Sequence, residues 1–139
     1  MNELTNYLRA SFNKSALFDT GIVVDYLMGD PKAKAFFEEY VFPGKLNPVI
    51  SAQTACELFM AARGKREESE LDQWVSKLFD VAPVSYPVAK TGGLMKRSNG
   101  VRAGDCMVAA TAASLGIPLI TTDPELYRKS GLRIFKPYG

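Results

Sequence analysis

The chain has 139 residues, the size of one domain, and is long enough to bury a core without disulfides or a structural metal. It is 47% apolar with eight Phe, six Tyr and one Trp, which excludes a disordered chain; it has no His, and Cys56 and Cys106 lack CxxC spacing, which argues against zinc. A net charge of +2 neither requires nor forbids a nucleic-acid partner, because a basic surface can surround an acidic pocket and leave the sum near zero.

Residues 3 to 12 carry Leu4, Tyr7, Leu8, Ser11 and Phe12 at the spacing of a short amphipathic helix, one that can dock on this domain or on another subunit. "SALFD" reads as a buried strand and "TGIVVDYLMGD" as a helix. "PKAKAFFEEY" is a second helix, with Asp30 as its cap and Pro31 at its first position. "LNPVI" is the next strand, followed by Ser51 as a cap and the helix "AQTACELFMAAR", ended by Gly64. Residues 67 to 79 give a further helix, with Leu71, Trp74, Val75 and Leu78 on one face. "VAPVSY" is a weak strand, and "PVAKTGGLMKRSNG" starts helical, is less clearly helical from its paired glycines onward and ends as a basic, flexible loop. "GDCMVAATAASLG" is an Ala-rich helix, "IPLIT" a strand, "DPELYRKS" a short helix and "LRIFK" the last strand. Strands alternating with helices predict an α/β domain with a mainly parallel central sheet flanked by helices, since parallel neighbours need crossover connections. No stretch approaches the ~18 unbroken apolar residues of a membrane span, and the N-terminus lacks the pattern of a signal peptide, so a cytoplasmic location and no membrane partner are expected.

Right-handed crossovers place all strand-to-helix turns along one edge of such a sheet, where ligands bind. Four acids fall there: Asp19 ends the first strand, Glu57 follows the second, Asp105 opens the Ala-rich helix and Asp123 follows "IPLIT". Each has an ordinary explanation. Asp19 and Asp123 suit helix caps, Asp105 would be favoured by the helix dipole, and Glu57 can occupy a solvated face. Together, however, four carboxylates in a small volume raise one another's pKa and destabilise the fold unless a cation neutralises them. Mg²⁺ or Mn²⁺ prefers carboxylate, water and phosphate oxygens and needs neither His nor Cys. Such a site would activate water for attack on a phosphodiester. Asp25 falls on a different helix face and is assigned a structural role.

The motifs that hold these acids resemble those of the PIN-domain ribonucleases, and most closely the VapC-type toxins of toxin–antitoxin pairs. "LFDTGIVVDYLMGD" is similar to the family's opening Asp-Thr segment, "ISAQTACELFMAARG" to its Ser-x-x-Thr-x-x-Glu-Leu segment, and "RAGDCMVAATAASLGIPLITTD" to its Asp-x-x-x-Ala-Ala stretch leading to Thr-x-Asp. Order and spacing agree over residues 16 to 136. The resemblance implies a metal-dependent endoribonuclease in which Asp19, Glu57, Asp105 and Asp123 surround Mg²⁺ or Mn²⁺, with Thr20 and Thr122 as supporting hydroxyls. Glu125 stands near enough to share or replace the role of Asp123. It further implies an RNA substrate such as tRNA or rRNA, a homodimer, and a cognate antitoxin whose tail enters the active-site groove. Gly21 departs from the family, which more often has Asn or Ser there. Residues 1 to 15 extend beyond the family's usual start, leaving 16 to 139 as the PIN domain.

An acidic site that holds a polyanion needs basic surroundings, and Arg63, Arg97 and Arg102, each near one of the acids in sequence, are the expected phosphate contacts. Two other readings stand beside the nuclease toxin: a non-catalytic module of the same fold that binds RNA or protein, and a DNA nuclease.

Overall fold

The computed structural model describes residues 3–138, without the side chain of Asn99. Residues 1 and 2 of the N-terminal extension, and Gly139, lie outside the described residues. Five strands, β1 (Ser15–Phe18), β2 (Asn47–Ser51), β3 (Asp80–Ala82), β4 (Leu119–Ile120) and β5 (Ile134–Phe135), form one sheet in the order β3-β2-β1-β4-β5. Every pair is parallel, with Leu17 of β1 opposite Val49 of β2 and Leu119 of β4. The sheet is therefore parallel throughout, and all five strands read from the sequence are present.

Strand order locates the site. The chain builds outward from β1 through β2 to β3, then crosses back to place β4 on the other side of β1. The reversal between β1 and β4 is a switch point, and connections leaving two neighbouring strands in opposite directions open a crevice beyond their carboxyl ends. Asp19 follows β1 there, and residues 121 to 123 follow β4.

Successive strand residues feed opposite faces. Phe18, Ile50 and Ile120 enter one core with Ile22, Phe36, Phe37 and Phe79; Leu17, Val49 and Leu119 enter the other with Val108, Ala112 and Tyr127. The first core is aromatic: the Phe18 ring lies 5.6 Å from Phe37 and 6.1 Å from Phe79, both edge-on. Ala16, Leu17 and Phe18 are completely buried, which holds the backbone rigid up to Asp19.

Helix α1 (Glu3–Ala10) docks on its own domain rather than standing free for another subunit: Leu4 and Leu8 are buried in the first core, and the Tyr7 ring packs tilted at 5.4 Å from that of Phe135. The helices α2 (Thr20–Leu27), α3 (Pro31–Phe36) and α4 (Ala52–Ala61) follow the expected signals, with Asp30 accepting from the Lys32 and Ala33 amides and Ser51 from Thr54. Past Phe36 the helix widens into a π turn, Phe37–Val41, which turns Phe37, Tyr40 and Val41 into the core. Gly64 does not end α4, which stops at Ala61; with φ +80° it instead opens α5 (Gly64–Leu78), three residues earlier than predicted.

The larger correction concerns α6 (Tyr86–Asn99), which runs unbroken through Gly92 and Gly93, where the helical pattern weakens, and on through the basic end that the sequence predicted as a loop. The cause is tertiary: a Cβ at Gly92 would meet Met107 Sδ at 2.8 Å and the Cys106 carbonyl oxygen at 3.5 Å, so the missing side chain lets α6 pack closely on α7 (Ala103–Leu115). The short helix expected after Asp123 is present as a 3-10 helix, Pro124–Ser130. Asp25 has its structural partner in Tyr138, whose hydroxyl donates to Oδ2 at 2.9 Å and ties the C-terminal segment to α2. No described helix is long and apolar enough to cross a membrane.

Candidate active site

Asp19 lies at the junction of β1 and α2. Its Oδ1 accepts from the Thr20 amide at 2.8 Å, so it is indeed the cap of α2. The same oxygen accepts from the Tyr127 hydroxyl at 3.0 Å, and Oδ2 accepts from the Thr121 hydroxyl at 2.8 Å. A cap needs only the first of these bonds. The other two come from the far side of the switch point and fix the carboxylate in the crevice.

Asp105 is the second acid there. It sits in the first turn of α7 with its side chain 14% exposed; Oδ1 lies 3.5 Å from the Tyr127 hydroxyl and Oδ2 accepts from Arg102 Nε at 2.9 Å. Glu57 approaches from α4. Gln53 Nε2 donates to its Oε1 at 3.2 Å, and a Cβ at Gly104 would stand 3.2 Å from that oxygen, so the carboxylate lies against Gly104 in the first turn of α7. Arg102 feels the charge of both Asp105 and Glu57.

The remaining predicted residues divide. Asp123 is exposed, its carboxylate makes no hydrogen bond to a described residue, and it does not cap the 3-10 helix; its backbone N–H instead donates to Thr121 Oγ1 at 3.1 Å. The strand stops at Ile120, which lets the chain turn outward before Asp123. Glu125 is exposed and pairs with Arg128 at 3.5 Å. Thr20 bonds Thr54 Oγ1 at 2.8 Å and so fastens α2 to α4. Thr122 is displaced from its expected role, since its hydroxyl faces Gly21 and the hydroxyl on Asp19 belongs to Thr121. A Cβ at Gly21 would be 3.8 Å from Thr122 Oγ1, an ordinary contact, so position 21 has room for a larger residue. Arg63 and Arg97 are exposed, in front of α5 and in the last turn of α6, while Arg102 pairs directly with Asp105.

Burial raises the Asp19 pKa; the bonds from Thr121, Tyr127 and Thr20 oppose that rise, and the charge of Asp105 adds to it. Tyr127 is pushed far upward by burial and by the same two carboxylates, so its hydroxyl keeps its proton and acts as a donor. Among the described residues no three acidic or cysteine side chains are arranged to hold a metal ion by themselves. The donors nevertheless fit a hard cation. They are all oxygen, and Mg²⁺ is commonly bound through one or two carboxylates, with water and substrate phosphates completing its shell. Asp19, Asp105 and Glu57 are the groups that would hold it.

A parallel sheet with acids converging on the switch point defines an α/β domain with an oxygen-only, anionic site at its carboxyl edge. The PIN domain family model matches residues 16–132, and the chain belongs to that family. No curated protein sequence is similar enough to count as a match. Among solved structures, the fold is shared with a toxin–antitoxin complex from Klebsiella pneumoniae (24% identity, TM-score 0.75, covering 88% of this chain and 98% of that one). It is shared also with DNA-bound VapBC from Salmonella typhimurium (20%, TM-score 0.73, 91% and 99%). A third example is FitAcB from Neisseria gonorrhoeae (21%, TM-score 0.69, 88% and 97%).

Proposed function

We propose that this chain is an endoribonuclease that hydrolyses RNA phosphodiester bonds with Mg²⁺ or Mn²⁺, and that it is the toxin of a type II toxin–antitoxin pair. The observation that carries the reading is the convergence of Asp19, Asp105 and Glu57 on one crevice from three elements distant in sequence. Family membership supports it, since PIN-domain nucleases generally use divalent metal ions. The toxin assignment is supported by the structure of the same fold from Klebsiella pneumoniae, described as a toxin–antitoxin complex.

In this reading Asp19, Asp105 and Glu57 hold the cation, and Asp123, hung from Thr121 at the rim, is a better fourth acid than Glu125, which is paired with Arg128. The bound cation would lower the pKa of a water and offset charge on the phosphate. The protein's part is positional: Thr121 and Tyr127 fix Asp19, Gln53 steadies Glu57, and Arg102 moves from Asp105 to a substrate phosphate. Arg63 and Arg97 extend the basic contact, giving salt-dependent affinity. The partners are RNA, a cognate antitoxin and a second copy of the chain. Residues 1 to 15 extend the PIN domain of residues 16 to 139. A non-catalytic module of the same fold is favoured by one observation, the lack of a ready three-ligand group among the described residues.

The test is cleavage of total tRNA and rRNA by the purified chain. Mg²⁺- or Mn²⁺-dependent cutting that disappears in Asp19→Asn and Asp105→Asn, with both variants folded, is expected. A wild-type chain with no metal-dependent cutting would refute the proposal.

A further inference from the structure

Among the described residues, Tyr127 is the one whose side chain touches both acids of the central pair, and no local sequence pattern marks it. It is 2% exposed, and its ring belongs to the second core with Leu17, Val49 and Val108. Its backbone carbonyl accepts from Ser130 Oγ at 2.6 Å, so the 3-10 helix that carries it is fastened locally. The hydroxyl comes to rest between Asp19 Oδ1 at 3.0 Å and Asp105 Oδ1 at 3.5 Å. A buried tyrosine hydroxyl needs only one acceptor to be satisfied. Here it stands between two acceptors, both carboxylates and from different elements. Each acid is also held at its other oxygen, Asp19 by Thr121 and Asp105 by Arg102.

From this geometry we infer that Tyr127 is a positioning residue, whose hydroxyl turns the carboxylates of Asp19 and Asp105 toward one point so that an arriving divalent cation meets both already in place. The inference rests on the metal-dependent reading above and adds to it the device that keeps two like charges together before the cation arrives. Each carboxylate oxygen has two acceptor positions, so Asp105 Oδ1 keeps one beyond the phenol and Asp19 Oδ2 one beyond Thr121. Prior ordering of the pair removes a cost that binding would otherwise carry. Hydrogen-bond partners behind metal ligands typically change metal affinity or activity by about 10- to 100-fold.

The experiment compares the full wild-type chain with Tyr127→Phe, which keeps the ring in the core. Mn²⁺ binding is followed through the electron paramagnetic resonance signal of the free ion, and folding through thermal melts without metal. The expected result is a Kd for Mn²⁺ weaker by about 10- to 100-fold in a folded variant. In the cleavage assay the Mn²⁺ concentration for half-maximal rate should rise in step, and saturating Mn²⁺ should restore the rate. Equal Mn²⁺ affinity in the two proteins would overturn the inference and leave the nuclease reading intact. A rate loss that saturating Mn²⁺ does not restore would reduce Tyr127 to a structural role and also overturn it. No Mn²⁺ binding by the wild type would overturn both. Should the variant fail to fold, proton NMR of the metal-free wild type decides. A slowly exchanging hydroxyl proton with contacts to the Tyr127 ring, shifted by Mg²⁺, is expected, and its absence would contradict the proposal.

Discussion

The Thr121 hydroxyl donates to Asp19 Oδ2 at 2.8 Å, joining residues 102 positions apart across the switch point of the sheet. Thr121 Oγ1 in turn accepts the Asp123 N–H at 3.1 Å, so one buried side chain serves the carboxylate and the turn that carries the next acid. Thr121→Val keeps the shape and removes both functions. Because buried groups left unpaired cost about 1–3 kcal/mol each, a loss of stability of that order is expected in urea unfolding, and Thr121→Ser should recover most of it. A valine variant as stable as wild type would show that the bond contributes nothing.

The raised pKa of Asp19 has a definite consequence for stability. A carboxyl whose folded value exceeds the ordinary 3.8 binds its proton more tightly in the folded chain than in the unfolded one. Stability is then fullest at or below that ordinary value and falls as pH rises through the folded one. In metal-free buffer Asp19→Asn should melt higher than wild type at neutral pH, with the gap closing as pH approaches the unfolded value. Thermal melts across that range check it; a variant that melts lower at neutral pH would mean that the bonds to the carboxylate outweigh its burial.

Gly104 separates stability from function. It lies in the first turn of α7, where alanine is the better helix former by up to about 1 kcal/mol. The added Cβ, however, would stand 3.2 Å from Glu57 Oε1, tight enough that the carboxylate must shift by a few tenths of an ångström, while Gln53 Nε2 at 3.5 Å is in ordinary contact. Gly104→Ala should therefore fold at least as stably as wild type while losing activity in RNA cleavage, at least tenfold where Glu57 is a ligand. Unchanged activity would remove Glu57 from the site.

The legible features were those that depend on local sequence. The strands stood out as short apolar runs between turn residues, and the caps at Asp30 and Ser51 followed from residue type alone. Parallel topology then followed from alternation, which was enough to bring Asp19 and Asp105 to one edge. What escaped depends on distant partners. Gly92 reads as a helix breaker until Met107 is seen beside it. Thr121 and Thr122 are adjacent and chemically alike, and only the turn after Ile120 decides which hydroxyl faces Asp19. Tyr127 is separated from Asp19 by 108 positions and from Asp105 by 22, so no local pattern announces it. Asp123, a good cap by residue type before Pro124, loses that role because its backbone is held by Thr121 in a geometry that does not suit a cap.

The carboxylate edge formed by Asp19, Asp105 and Glu57 is proposed to hold a divalent cation. Calorimetric titration of the metal-free wild-type chain with Mn²⁺ near neutral pH tests it most directly, with Asp105→Asn as the comparison. Saturable binding by the wild type, abolished or strongly weakened in the variant, is the predicted result. A wild-type chain that binds no Mn²⁺, or a variant that binds it equally well, would contradict the account.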